Sequence, residues 1–337
     1  MGLAFALGPR AARTVDKGST GRHSPLPMAA IIEVILPIFA IMLAGTLAAR
    51  TRLLRGDASE ALSQFVYYAA GPALAFISLY RTPVGDFFNM PFLGALGGGM
   101  VCTLCFSLLV AVRFFRGSLT NYGLHGMCTM YSSTGYIGIP LLLIAFGDAA
   151  LVPAIIGAVI TGAFFLPISI ILAEIDRGKG QSRNLLRPFV RAFLSPLVVS
   201  AMAGLGASAS GLQLPTAAVT FFDMLSGAFG PCALFAAGLF IGSRKVQADS
   251  REVTWLVFAK LIVQPLITYW LAYQVFGLSG IWAAAAVIHA ALPTGVPVFV
   301  VAQRYGSYVE RSSAAVVIST AISVITLSVL MILLDVK

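Results

Sequence analysis

Nine consecutive residues, Ser132-Ser133-Thr134-Gly135-Tyr136-Ile137-Gly138-Ile139-Pro140, place three serine or threonine hydroxyls, two glycines and a proline inside an apolar run from about Tyr122 to Phe146. Proline has no N–H to donate and its ring clashes with the preceding turn, so a helix cannot pass Pro140 undisturbed. The interruption frees peptide N–H and C=O groups, and the half-helix that follows starts with roughly half a positive charge. Ser133 and Thr134 add hydroxyl donors, while Gly135 and Gly138 let a ligand or a crossing helix come close to the backbone. Such a set suits an anion, a carboxylate above all. A second interruption, Pro293-Thr294-Gly295-Val296-Pro297, offers the same groups far along the chain. Hydrocarbon cannot satisfy the freed peptide groups, so both interruptions are expected to face protein or a water-filled cavity.

Other polar residues fall inside apolar runs. Lys260 and Gln264 are one turn apart and share a face. Lys260 is expected to face protein or a cavity, as a cation for a substrate anion or as a bridge to helix ends and carbonyls. His289 lies one turn before Pro293 and could relay a proton, bind substrate or bond a neighbouring carbonyl. Asp223 and Gln64 are candidates for handling a coupling ion, with an interfacial position as the alternative for Asp223. Glu33 and His125 are expected at the interface near helix starts. Gly94 and Gly98 form a G-x-x-x-G suited to close helix contact. Cys102, Cys105, Cys128 and Cys232 read as small buried apolar residues, because the lone C-x-x-C has no second pair and no nearby His.

The elements that carry these residues are hydrophobic helices. Of 337 residues, 58% are hydrophobic and only 10% charged, against about 25% charged in soluble domains. The class is integral membrane protein. The net charge of +9 does not point to nucleic acid, because the basic residues are spread through short loops. Apolar runs cover roughly 29–50, 58–80, 91–115, 122–146, 150–174, 188–208, 216–242, 253–276, 279–303 and 312–334. Each approaches the ~20 residues that a helix needs to cross a ~30 Å hydrocarbon core. With both termini outside, fifteen Arg and Lys residues fall in inner loops, against Arg81 and Lys337 outside. That bias sets the orientation. Residues 1–27, with four basic residues, run against it; a disordered or non-native tail is expected there, with Met28 as an alternative start.

The chain also repeats. Pro37 followed by Ala44-Gly45 recurs as Pro196 followed by Ala203-Gly204, and Gly71-Pro72 with Phe76 recurs as Gly230-Pro231 with Phe235, all offset by 159 positions. Thr134-Gly135 recurs as Thr294-Gly295, offset by 160. Each unit holds five spans, an odd number, so the second copy enters the membrane inverted. The expected fold is all-α, with ten transmembrane helices as two inverted five-helix repeats over 28–174 and 188–337. A basic inner linker over 175–187 joins them, and the broken fourth and ninth helices cross mid-membrane.

The segment Thr134-Gly135-Tyr136-Ile137-Gly138-Ile139-Pro140-Leu141-Leu142 resembles the fourth-helix motif of the auxin efflux carrier family, which includes malonate-transporter-like bacterial proteins. Ala291-Leu292-Pro293-Thr294-Gly295 with Ala302-Gln303-Arg304-Tyr305-Gly306 is similar to the ninth-helix motif, and Lys260 with Pro265 to a Lys-then-Pro pattern in the eighth. The resemblance covers roughly 28–337. It implies a scaffold of helices one, two, six and seven, a moving transport part, a substrate site at the crossing, organic-anion cargo and a homodimer. Ser133 stands where the family commonly has Asn, which bears on the substrate. The expected function is a secondary carrier of small organic anions, mono- or dicarboxylates, in a plasma or inner membrane among lipid. It needs no cofactor, with a proton or Na+ as the candidate coupling ion. The competing readings are an intramembrane enzyme and a channel or sensor. No H-E-x-x-H, G-x-S-x-G or phosphate-cradling loop supports an enzyme or a primary pump.

Overall fold

The computed structural model describes residues 27–54, 58–82, 89–115, 117–165, 167–168, 171, 175–176, 187–244 and 251–334. The tail expected over residues 1–27, except Pro27, which begins α1, and most of the linker over 175–187 lie outside the described residues. Among the described residues, the helices that build and position the site are α1 (Pro27–Arg50), α2 (Ala58–Tyr80), α3 (Met90–Phe114), α4 (Leu119–Met130), α5 (Ile139–Phe146), α6 (Leu151–Ile160), α7 (Arg187–Phe193), α8 (Pro196–Ala209), α9 (Thr216–Gly242), α10 (Arg251–Val275), α11 (Gly280–Ala291), α12 (Val296–Tyr305) and α13 (Val309–Leu333). Among the described residues, six helical segments of 23 to 32 residues are long and apolar enough to cross a bilayer. The 32-residue one runs from Thr134 to Phe165. It is not one straight rod, because Gly147 stands at φ +66°, outside helical space, and separates α5 from α6.

Proline loosens some of these helices, while Pro37 and Pro231 lie inside helix that keeps its ordinary turn. A widened turn, closed by i→i+5 hydrogen bonds, occupies Val66–Ala70, Thr134–Gly138 and Ala259–Val263. Each comes immediately before a residue followed by proline: Pro72, Pro140 and Pro265. A proline ring displaces the carbonyl of the preceding turn and donates no hydrogen bond to it, and widening that turn relieves the clash without ending the helix. Lys260 sits within one of these turns.

Packing is set by small residues. Helix α1 lies along α9, and α8 lies along α2. At the first contact a Cβ on Gly45 would stand 2.4 Å from the Phe235 carbonyl oxygen; at the second, one on Gly204 would stand 2.3 Å from the Phe76 carbonyl oxygen. Helix α3 approaches α10 and the turn after it through Gly94, whose Cβ would meet the Phe276 ring at 2.4 Å, and Gly99, whose Cβ would meet Thr268 Oγ1 at 2.1 Å. A Cβ on Gly98 would come no nearer than 3.4 Å to Leu271, so the close contact uses Gly94 and Gly99 rather than the Gly94/Gly98 pair.

Two sequence expectations are corrected. Cys102 and Cys105 are exposed on α3 and only Cys128 is fully buried, because α3 presents that face outward. His125 is buried, not interfacial: its Nδ1 lies 2.9 Å from Glu252 Oε1 and 3.1 Å from the Tyr308 hydroxyl. Tyr308 donates to the same carboxylate, and Arg311 Nε approaches its other oxygen at 3.2 Å. Burial pushes the Tyr308 phenol well above its ordinary range, which keeps it a donor to Glu252. The cluster ties α4 to α10 and α13.

Candidate functional site at the helix crossing

The two interruptions meet. Between α4 and the widened turn at Thr134–Gly138, and between α11 and α12, the chain is extended, and Ser132 and Thr294 form an isolated antiparallel bridge. The Ser133 N–H donates to the Pro293 carbonyl at 2.9 Å, and the Gly295 N–H donates to the Tyr131 carbonyl at 3.0 Å. Gly295 is needed at this approach, since a Cβ there would lie 2.9 Å from the Tyr131 ring. Each broken helix thus completes the other's backbone. This is how peptide groups released by a break can remain paired away from water.

The remaining carbonyls at the helix ends are met by side chains. Thr294 Oγ1 donates to Cys128 O at 2.7 Å, and the Thr294 N–H donates to Ser319 Oγ on α13 at 3.1 Å. Gln264 Nε2 donates to Met130 O, the last residue of α4, at 2.9 Å. Lys260 Nζ donates to Ala290 O near the end of α11 and to Gln264 Oε1, both at 2.6 Å. Lys260 and Gln264 are fully buried. Together they form a strip on α10 that spans both broken helix ends. His289 is equally buried, its ring enclosed by Gly138 and Gly157, and its Nε2 lies 3.3 Å from Pro153 O. Its Nδ1 has no partner among the described residues.

A cavity of about 860 Å³ opens against this junction. Of the residues singled out from sequence, Ser133, Thr134, Gly135 and Pro297 line it. Gly135 has open space at its Cβ position, as a residue facing a cavity should. Gly138, Pro140, Pro293, Thr294, Gly295, Lys260, Gln264 and His289 are not on its wall; they build the junction that the wall rests on. Gln64 and Asp223 are not on its wall either. Gln64 is exposed and reaches Glu60 at 3.4 Å. Asp223 pairs with Arg81 at 2.8 Å, with side chains 43% and 53% exposed. Exposed pairs contribute about 0–1 kcal/mol. Asp223→Asn is therefore expected to lower stability by less than ~1 kcal/mol and to leave the pH profile of uptake unchanged. A flattened profile in that variant would return Asp223 to a coupling role.

The cavity wall also holds residues that the sequence does not single out: Tyr67, Tyr131, Tyr136, Arg191 and Arg304. Tyr136 belongs to the first interruption and Arg304 to the Ala302-Gln303-Arg304-Tyr305-Gly306 segment after the second, so the two motifs themselves carry a signal for both. Arg191 carries none beyond the charge of an inner loop.

Apolar helices on the outside and two broken segments paired backbone to backbone against a cavity that Ser132, Ser133 and Thr134 help to line define a multi-pass membrane transporter. The membrane transport protein family matches residues 30–331, and the chain belongs to that family. It is 33% identical over 312 residues to a "Putative malonate transporter" of Rhizobium meliloti, covering 91% of this chain and 97% of that protein. It is 27% identical over 298 residues to the "Uncharacterized transporter YfdV" of Escherichia coli K12, covering 87% of this chain and 94% of that one. It is also similar to auxin efflux carrier component 1 of Arabidopsis thaliana, 29% over 114 residues, covering 33% of this chain and 18% of that protein. The resemblance read from the two motifs holds, and the protein is a transporter rather than an enzyme.

Proposed function

We propose that this protein is a secondary carrier of small organic anions, mono- or dicarboxylates in the range from malonate-like to auxin-like, working by alternating access. The observation that carries this is the junction itself. Two interruptions bond to each other, their helix-end carbonyls are tied off by α10, and Ser133, Thr134 and Gly135 are left facing a cavity. With its acceptors occupied, the junction offers the cavity mainly donors: hydroxyls and the positive start of the half-helix at Thr134. That polarity favours an anion. The name of the Rhizobium meliloti relative points the same way.

The proposed architecture is ten spans in two inverted repeats, 28–174 and 188–337, joined on the inner side, with both termini outside. The reciprocal contacts of Gly45 with Phe235 and of Gly204 with Phe76 support it. Gly45 and Gly204 are repeat mates, and so are Phe76 and Phe235, as an exchange of the two halves about a pseudo-two-fold axis requires. Helices α1, α2, α8 and α9 would be the scaffold, and the crossing and its neighbours the moving part. Arg191 and Arg304 belong to the basic inner side, so the cavity they line corresponds to an inward-open state. A homodimer through the scaffold and a coupling proton or Na+ belong to the same proposal.

The test is uptake of labelled mono- and dicarboxylates into liposomes holding the purified protein. Flux that saturates with substrate, and that falls roughly tenfold in Ser133→Ala/Thr134→Val without loss of folded protein, is the expected result. Folded protein that moves none of the acids would defeat the proposal.

A further inference from the structure

We infer that Arg191 and Arg304 are the specificity residues of the cavity, selecting anions with two carboxylates over anions with one. The inference rests on the anion-carrier reading proposed above. Arg191 comes from α7 and Arg304 from the last turn of α12, two elements far apart in sequence that converge on one cavity. Among the described residues the cavity wall has no carboxylate, and neither guanidinium is paired with one elsewhere. Both side chains are exposed, so their charges are available to a solute. The bias toward basic inner loops accounts for their sign but not for their facing the cavity.

Their position sets the selectivity. Arg304 is seven residues beyond Pro297 on the same helix, and at a rise of 1.5 Å per residue its Cα is about 10 Å further along the axis. The cavity is therefore donor-rich at two levels: hydroxyls and peptide groups at the junction, guanidiniums further out. Tyrosine rings, Ile139 and Phe229 lie on the same wall. A monocarboxylate is fully satisfied at one level. A short dicarboxylate can put one group at the junction and the other into the planar fork of a guanidinium, which matches carboxylate geometry in pairs of hydrogen bonds. Low-dielectric walls and two like charges also concentrate doubly charged anions in the cavity more than singly charged ones.

The experiment uses the full chain, wild type and Arg191→Gln, Arg304→Gln and the double variant. Malonate, succinate, propionate and butyrate are titrated by thermal shift and then compared in liposome uptake. Half-saturation by the dicarboxylates is expected roughly tenfold below that by the monocarboxylates in wild type. The double variant should bring that ratio close to one by raising dicarboxylate half-saturation far more than monocarboxylate half-saturation, while the ligand-free melting temperature holds. Arg304→Lys should retain part of the preference, as a charge without the fork. An unchanged ratio in the double variant, or equal loss of both classes, overturns the inference. Wild type that takes up both classes with equal affinity overturns it while leaving the carrier reading intact. Wild type that neither shifts nor transports with any acid overturns both.

Discussion

Lys260→Met is expected to destabilise the protein before any substrate is added. Nζ donates two hydrogen bonds of 2.6 Å, to Ala290 O and to Gln264 Oε1, and the side chain is wholly buried off the cavity wall. Methionine fills most of the volume but donates nothing, leaving a peptide carbonyl and an amide oxygen unpaired. An unsatisfied buried acceptor costs about 1–3 kcal/mol, so two cost about 2–6 kcal/mol. The measurement is the melting temperature in detergent without ligand, with liposome uptake alongside. A clear drop in the ligand-free protein and loss of flux at every substrate concentration are expected. A lysine that met the substrate directly would behave otherwise: ligand-free stability would hold, and only half-saturation would rise. Gln264→Leu should act in the same direction, since it strands Met130 O and one Lys260 donor. Because the two residues serve one strip, the double variant should cost less than the sum of the singles.

This strip changes how the junction works. The broken ends of α4 and α11 are both fixed to α10, and the extended segments are fixed to each other. The donors left facing the cavity can then act on a solute without rearranging, because competing acceptors are already occupied. Preorganised dipoles of this kind need no reorientation when a charge arrives. The His125–Glu252–Tyr308–Arg311 cluster holds the middle of α4 to α10 and α13. Helix α4 is thus anchored to α10 at two points, mid-helix through Glu252 and at its last residue through Gln264, and should move with it as one body.

Sequence reveals the features that are local. Proline, glycine and hydroxyl residues within a few positions announce an interruption whatever packs around it, so both breaks are legible. Lys260 and Gln264 share a face by spacing alone, so the strip is legible too, and so is its alternative use as a bridge to carbonyls. Features that depend on helix rotation and distant partners are not legible. His125 reads as interfacial because its carboxylate partner is 127 residues away. Tyr67 and Arg191 line the cavity only because α2 and α7 turn those faces inward, which no local pattern encodes. The widened turns are half legible: Pro72, Pro140 and Pro265 signal a clash, but not that each helix absorbs it by loosening one turn.

The second large effect is expected where α1 meets α9 and α8 meets α2, and its value lies in its symmetry. Gly45→Ala and Gly204→Ala should each destabilise the protein, and by similar amounts. The added Cβ would stand 2.4 Å from the Phe235 carbonyl oxygen in the first and 2.3 Å from the Phe76 carbonyl oxygen in the second. A methyl group cannot remain that close to a carbonyl oxygen, and neither clash can be relieved by a side-chain rotation, because backbone meets backbone. The helices must separate, α1 from α9 in one case and α8 from α2 in the other. Overpacking of this kind costs about 1–3 kcal/mol, and contacts with backbone belong at the upper end. Gly206 is the internal control: it shares α8 with Gly204 but has open space at its Cβ, so Gly206→Ala should be neutral, or slightly stabilising through helix propensity. Ligand-free melting temperatures of the three variants decide the matter. Matched losses at Gly45 and Gly204 are what two inverted halves related by a pseudo-two-fold axis require. A loss at one position with none at the other would mean that the 159-residue offset is a coincidence of composition, and the exchange of halves would no longer explain how α1 and α8 came to meet their partners through the same carbonyl.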